Sequence, residues 1–129
     1  MLTPNFGKIS RQEGSVLLEG LIAIVIFSLG ILALVGLQSA SMRATTASKD
    51  RVDASLIANQ RIAKMWVNWK NLNTYAENNV DISSECDLPN AKRTTKIDPG
   101  NIVTVTVSWQ SPGGAQNNFV SSAQIIGNN

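Results

Sequence analysis

Histidine is absent from this sequence of 129 residues, and cysteine occurs once, at Cys86. A metal site built from His and Cys ligands and a catalytic triad that depends on His are therefore excluded. The one SPGG run lies in a predicted hairpin loop and lacks the Lys and the Ser or Thr of a phosphate cradle. We predict that the chain is not an enzyme and that it has no cofactor, no metal site and no catalytic residue.

The single cysteine also excludes a disulfide within the chain. Two states of Cys86 stay open at this point. We favour a partly buried, unpaired thiol over a disulfide to another chain.

Charge is sparse and nearly balanced, with a formal net charge of +2. This balance argues against a general nucleic-acid-binding protein, so we consider a nucleic-acid partner unlikely. An acidic stretch is followed by a basic stretch, and we interpret both as solvated loops. Their members are Glu77, Asp81, Glu85 and Asp87 for the first, and Lys92, Arg93 and Lys96 for the second.

Charge is missing altogether from residues 20–37, where Ser28 is the one hydroxyl-bearing side chain. Eighteen residues of helix are about 27 Å long, close to the roughly 30 Å thickness of the hydrocarbon core of a bilayer. We therefore predict that residues 15–37 form a membrane-spanning helix. Lys8 and Arg11 precede it, which predicts a cytoplasmic amino terminus.

Proline is absent between Pro4 and Pro89, so the helix is expected to continue through residues 38–70 as an amphipathic second half. Helical spacing predicts one apolar stripe that packs on a sheet and is flanked by Ile62 and Trp69. Its members are Val52, Leu56, Ala63 and Trp66. The opposite side is predicted to face solvent or other subunits and carries Lys49, Asp50, Arg61 and Lys64.

Residues 71–129 are predicted to form a small head. Residues 71–100 are rich in Asn, Asp and Ser and predict a long connection, ending in a turn at Asp98, Pro99 and Gly100. Residues 102–110 alternate between Val or Trp and Thr or Ser, which predicts a half-buried strand. Residues 119–126 would complete a hairpin, and residues 92–97 are a candidate third strand. We expect Trp66, Trp69 and Trp109 in the core between helix and sheet.

Glu19 stands out because a carboxylate in hydrocarbon costs about 2.5–3.5 kcal/mol, which makes it a candidate functional residue. The small residue Gly14 precedes the apolar run, whereas the cleavage site of a secretory signal follows it. A cut at Gly14 would leave the apolar segment in the mature protein.

This pattern resembles the leader of type IV pilin precursors. It consists of Gly14 and Glu19 together with Lys8, Arg11, Leu17 and Leu18. Residues 30–44 and 56–65 are similar to the minor pilins of the PilV group, the type IV pilus modification proteins. The resemblance implies a leader at 1–14, a prepilin peptidase that cuts between Gly14 and Ser15, and N-methylation of Ser15. It departs from the family at Ser15, where Phe is usual.

The family resemblance also implies an α+β fold, with a long amino-terminal helix packed on an antiparallel sheet of two to four strands. Glu19 would pair with the methylated amine of a neighbouring subunit or of its own chain and so set the register. The expected partners are other minor and major pilins, the peptidase, the inner-membrane assembly platform and lipid. The expected location is the inner membrane, with the head in the periplasm, and then the pilus.

Two rival interpretations remain at the level of the sequence. A minor pseudopilin of a type II secretion system would share the leader, the stem and the small head. In a plain signal-anchored membrane protein, Gly14 and Glu19 would be coincidental.

Overall fold

One long helix and one antiparallel sheet make up this α+β protein, which is shown here as a computed structural model that describes residues 1–2 and 11–127. The helix α1 is followed by a short 3-10 helix and by strands β1 to β4. Their bounds are Arg11–Val67 for α1, Trp69–Tyr75 for the 3-10 helix, Glu77–Asp81 for β1, Lys92–Asp98 for β2, Ile102–Gln110 for β3 and Gln116–Gln124 for β4. The chain divides into two compact units, Met1–Ala44 and Thr45–Asn129.

The first unit contains the amino-terminal part of α1, and its apolar side chains are uncovered. Every side chain described from residue 13 to residue 44 is exposed, including Phe27, Leu32 and Leu37. Gly30 and Gly36 have open space around them. Among the described residues, α1 is the one helix that is long and apolar enough to span a membrane. An exposed apolar surface of this extent is typical of a segment that contacts a membrane or another protein.

The second unit contains a four-stranded sheet in the order β1-β2-β3-β4, in which every neighbouring pair is antiparallel. The predicted strand at 102–110 is confirmed as β3, and the candidate strand at 92–97 is confirmed as β2. The turn between them has positive φ angles at Gly100 and Asn101, residue types that tolerate this conformation. The predicted second strand of the hairpin is β4, which begins earlier, at Gln116. β1 lies inside the segment that the sequence assigned to a connection.

The inner face of the sheet carries the predicted alternation. Val103, Val105, Val107 and Trp109 are all buried in one core cluster, together with residues of α1 and of the connections. The side chains between them, such as Thr104 and Thr106, are only half-buried. This part of the sequence analysis is confirmed.

The helix face that packs on the sheet is not the predicted one. The buried side chains of α1 are Ala54, Ala58, Ile62 and Met65. Of the predicted stripe, Val52 is 64% exposed, Leu56 is 55% exposed and Trp66 is 45% exposed. Ala63 is exposed as well.

Charge pairing explains the difference, because the ion pair between Arg61 and Glu77 of β1 needs this side of α1 to face the sheet. Asp50 and Arg61, which were expected to face outward, lie on the buried side: Asp50 is 7% exposed and the Arg61 side chain 17% exposed. Trp69 and Trp109 contribute to the core as expected, whereas Trp66 does not.

A pair of substitutions distinguishes the two faces. Ala58→Leu inserts three carbon atoms into a fully buried position and is expected to lower the free energy of unfolding by about 1–3 kcal/mol through overpacking. Ala63→Leu, at an exposed position of the same helix, is expected to change it by less than about 0.5 kcal/mol. Urea unfolding in detergent micelles, followed by tryptophan fluorescence, measures both. A larger loss for Ala63→Leu would show that the predicted stripe packs on the sheet after all.

Candidate functional site

The residues of the pilin-like leader lie at the start of α1. Gly14, Ser15 and Glu19 are all in helical conformation, and all three are exposed. A Cβ added at Gly14 would meet no other atom within 4 Å. The predicted leader residue Lys8 lies outside the described residues. The bond between Gly14 and Ser15 is thus not covered by any described part of the chain.

Ser15 and Glu19 are one helical turn apart and therefore lie on the same side of α1. Among the described residues, no ion-pair partner lies within reach of Glu19. Its carboxylate is exposed on a helix whose following eighteen residues carry no charge. The arrangement leaves Glu19 available to a group outside the chain or to an amine created at Ser15.

A second cluster, which the sequence analysis missed, ties α1 to the sheet. Glu77, the first residue of β1, accepts hydrogen bonds from Arg93 on β2 at 2.5 Å for Nε to Oε1 and 3.4 Å for Nη2 to Oε2. Arg61 of α1 approaches the same carboxylate, with Nη2 at 3.2 Å from Oε2. The Thr95 hydroxyl donates to Oε1 at 2.9 Å. We call Arg61, Glu77, Arg93 and Thr95 the Glu77 cluster.

Strand register explains how the Glu77 cluster assembles. Glu77 is opposite Thr95 in the β1–β2 pair, and Thr95 is opposite Val105 in the β2–β3 pair, so their side chains share the inner face. Arg93, two residues from Thr95, lies on that face too. Arg61 comes from the buried side of α1. Exposed fractions of 12% for Arg93, 13% for Glu77 and 17% for Arg61 show that water reaches these charges poorly.

Two opposing effects act on the Glu77 carboxyl. Burial raises its pKa, but hydrogen bonds from Arg93 and Thr95 and the charges of Arg93 and Arg61 outweigh it, so the pKa lies below the ordinary value. The carboxylate is therefore charged at neutral pH. Two arginines thus bind one half-buried acid. Glu85, whose side chain is 61% exposed, accepts a further hydrogen bond from Arg93 at 3.5 Å.

Arg61 makes more contacts than this ion pair. Its Nη2 donates to the backbone carbonyl of Tyr75 at 3.1 Å, and its guanidinium carbon lies 4.8 Å from the centre of the Tyr75 ring. The second distance is within the range of a favourable cation–π contact. The Nε of Arg61 is buried and has no hydrogen-bond partner among the described residues. Arg61 therefore also holds the end of the 3-10 helix.

Cys86 lines a small cleft of about 70 Å³ beside this cluster, together with residues of α1 that include Gln60 and Lys64. The thiol is half-buried and unpaired, and it donates to the carbonyl of Ile82 at 3.3 Å. The partial burial expected of Cys86 is confirmed.

Two interpretations of charge need correction. Glu77 and Arg93 were assigned to solvated loops, but both lie in strands and are mostly buried as a pair. Lys92 and Lys96 alternate with Arg93 along β2 and are exposed, so the three basic residues do not form one patch. One feature of the sequence did indicate that Arg61 takes part in the Glu77 cluster. Helical spacing places Arg61 on the same side of α1 as Ala54 and Ala58.

Within the described residues, no three His, Cys, Asp or Glu side chains come together in a way that would hold a metal ion. Comparisons with protein-family models, with curated proteins and with solved structures find no match for this chain. The function is therefore argued below from the chain's own residues.

Removal of the central charge tests the Glu77 cluster. Glu77→Gln leaves two arginines without their shared carboxylate and is expected to lower the free energy of unfolding by about 3 kcal/mol. Glu85→Gln, at the exposed end of the same network, is expected to cost less than about 0.5 kcal/mol. Urea unfolding at pH 7 measures both. Equal and small losses would mean that the cluster is not a structural link.

The lowered pKa of Glu77 predicts how stability depends on pH. Below the ordinary value of 4.5, the unfolded chain takes up a proton at this carboxyl while the folded chain still resists it. The free energy of unfolding should therefore fall as the pH decreases below about 4.5. Glu77→Gln removes this contribution, so the difference between the wild type and the variant should shrink in the same range. A difference that is constant from pH 7 to pH 3 would contradict the assignment.

Proposed function

We propose that this chain is the precursor of a minor pilin of the PilV type, which takes part in the assembly or function of a type IV pilus. The observation that carries the proposal is the combination at the start of α1: an accessible Gly14–Ser15 bond, a carboxylate at Glu19 and then an uninterrupted, uncharged helical segment whose side chains are all exposed. Each of these features has a use in a subunit that is stored in a membrane and then packs into a filament.

The mechanism we propose is association and not catalysis. Cleavage after Gly14 creates an amine at Ser15, which is then methylated. An ammonium and a carboxylate stranded together in an apolar bundle gain most when they pair, and loss of either leaves an uncompensated charge. Glu19 would therefore select the register in which an amine, from a neighbouring subunit or from its own chain, lies beside it.

The apolar surface of α1 supports a packing role. Residues 20–37 would first contact lipid and then the stems of other pilins, which offer a similarly apolar environment. The second unit has an apolar surface of its own for neighbouring subunits, the exposed stripe of Val52, Leu56, Ala63 and Trp66. The stripe that the sequence assigned to the core is thus free for contacts between chains.

The proposed partners and location follow from this role. The chain would be anchored in the inner membrane by one helix, with its amino terminus in the cytoplasm and its head in the periplasm. It would meet the prepilin peptidase, the assembly platform and other minor and major pilins there, before it enters the pilus. We propose no catalytic activity and no cofactor.

Processing at Gly14 is the deciding experiment. Intact mass and amino-terminal sequencing of the membrane-extracted protein are expected to give a terminus at Ser15 that carries a methyl group. In cells without the prepilin peptidase, the terminus should remain at Met1. Gly14→Val should also block the cut, because it places a side chain at a position of the cleavage site where glycine has none. Gly20→Val, six residues away in the same helix, should be cut normally.

A terminus at Met1 in both strains would contradict the proposal and would leave a membrane-anchored small domain in which Gly14 and Glu19 have no special role. Cutting at Ser15 without the peptidase would point to a different protease.

A further inference from the structure

The sheet has one edge that is open and unprotected. β4 pairs with β3 along nine residues, and no strand in the described part of the chain pairs with its other side. Its sequence QNNFVSSAQ contains no charge and no proline. Natural edges of this length usually carry a charge, a proline or a bulge, because an unblocked edge is a template for another strand.

The hydrogen-bond register identifies the groups on this open edge. The N–H of Ile125 donates to the carbonyl of Asn101, directly opposite, and antiparallel pairs alternate between bonded and non-bonded residues. Counting back along β4, the odd-numbered residues bond to β3. The backbone N–H and C=O groups of Asn118, Val120 and Ser122 therefore face away from the sheet. Within the described residues, no strand pairs with these donors and acceptors.

The opposite edge of the sheet, formed by β1, is protected. The two edges of the sheet therefore differ, and only β4 is open to another strand. β1 has five residues, and its pairing with β2 shifts between Glu77 and Val80. Asn79 has a φ of 53°, and its N–H donates to the Thr94 hydroxyl. Such an irregular edge with acidic residues disfavours the addition of a strand.

An exposed aromatic residue lies on the flank of α1 that faces β4. The Ser121 hydroxyl of β4 donates to Oδ1 of Asn59 on α1 at 3.3 Å, which identifies that flank. Trp66 is seven residues after Asn59 and therefore only about 20° away around the helix. It is 45% exposed. A strand added to β4 would thus bring its inward side chains next to Phe119 and to this flank.

From these observations we propose that β4 is a docking site for an extended segment of a different polypeptide chain, which adds to the sheet as a fifth strand. Its inward positions would be apolar, to contact Phe119 and Trp66, and its outward positions uncharged and polar, like those of β4. This docking does not depend on the proposed function, because it needs neither cleavage at Gly14 nor a filament.

A second copy of this chain fits less well. If β4 paired with β4 of a second copy, the inward positions would be filled by Asn117 or Ser121 as often as by Phe119 or Ala123. If β4 paired with β1 of a second copy, the partner would be the short, shifted and acidic edge. A segment that fits β4 therefore alternates between apolar and polar side chains more strictly than β1 or β4 does.

A peptide with the sequence of β3, Ile102–Gln110, is a suitable probe, because it has this alternation and β3 is already an antiparallel partner of β4. Fluorescein-labelled peptide is titrated with the uncleaved full-length protein in detergent micelles, and binding is followed by anisotropy. Saturable binding is expected. A peptide that is N-methylated at alternate residues, on the edge that would pair, keeps the apolar side chains but loses the donors, and it should not bind.

A matched pair of variants locates the binding to the open edge. Val120→Pro removes an N–H that faces away from β3, so the fold should persist while peptide affinity falls by about tenfold or more. Val120→Thr keeps that N–H and should bind like the wild type. Far-ultraviolet circular dichroism and the urea midpoint verify that both variants are folded.

Equal binding of the N-methylated peptide, unchanged affinity of Val120→Pro, or no binding of the β3 peptide to the wild type would each overturn the proposal. A second copy of this chain is the other candidate for the open edge. Sedimentation of the wild type without peptide tests whether it binds there. A dimer that is lost in Val120→Pro would show that a second copy, and not a different chain, occupies the edge.

Discussion

A carboxylate that is withdrawn from water must be compensated, and the position of Glu77 between two arginines imposes this condition on the head of the protein. Glu77 begins β1, Arg93 and Thr95 lie on β2, and Arg61 comes from α1. Three elements thus meet at one charged group. If the helix were turned so that another face met the sheet, Arg61 would leave the carboxylate, and buried charges would lose their partners. Charge pairing and the small side chains of Ala54 and Ala58 favour the same orientation of the helix.

This orientation has a consequence for the outer surface. The side of α1 that packs on the sheet carries Ala54, Ala58, Ile62 and Met65, so the apolar residues Val52, Leu56 and Trp66 on the other sides of the helix are exposed. A domain of this size would normally bury such side chains, since each contributes about 1.5–3 kcal/mol when it is removed from water. Their exposure, the exposure of the apolar amino-terminal part of α1 and the open edge of β4 have one feature in common. All three are surfaces that another molecule can cover.

The three surfaces differ in their chemistry and therefore in what would cover them. The amino-terminal part of α1 is uniformly apolar and suits lipid or other apolar helices. The stripe on the second half of the helix is apolar and narrow, and it suits side-chain packing. The β4 edge presents backbone donors and acceptors, which a helix or a lipid tail cannot satisfy and which only another strand can satisfy. One small chain thus combines a proposed membrane anchor with two further surfaces that we propose for association.

The amino-acid sequence by itself determined the elements that depend on local pattern. An uncharged apolar run without proline predicted the long helix, and strict alternation from Val103 to Trp109 predicted the central strand and its buried face, because each pattern has the period of the structure it forms. The order of Gly14, Glu19 and an uncharged apolar run was also visible, because it is defined by spacing along the chain. Only the tertiary structure decided which face of the helix meets the sheet, that β1 exists, and that Arg61, Glu77 and Arg93 form one cluster. Those outcomes depend on residues as many as 62 positions apart in the sequence. Apolar periodicity identified the wrong face because it takes no account of the ion pair between Arg61 and Glu77, which places that side of the helix against the sheet.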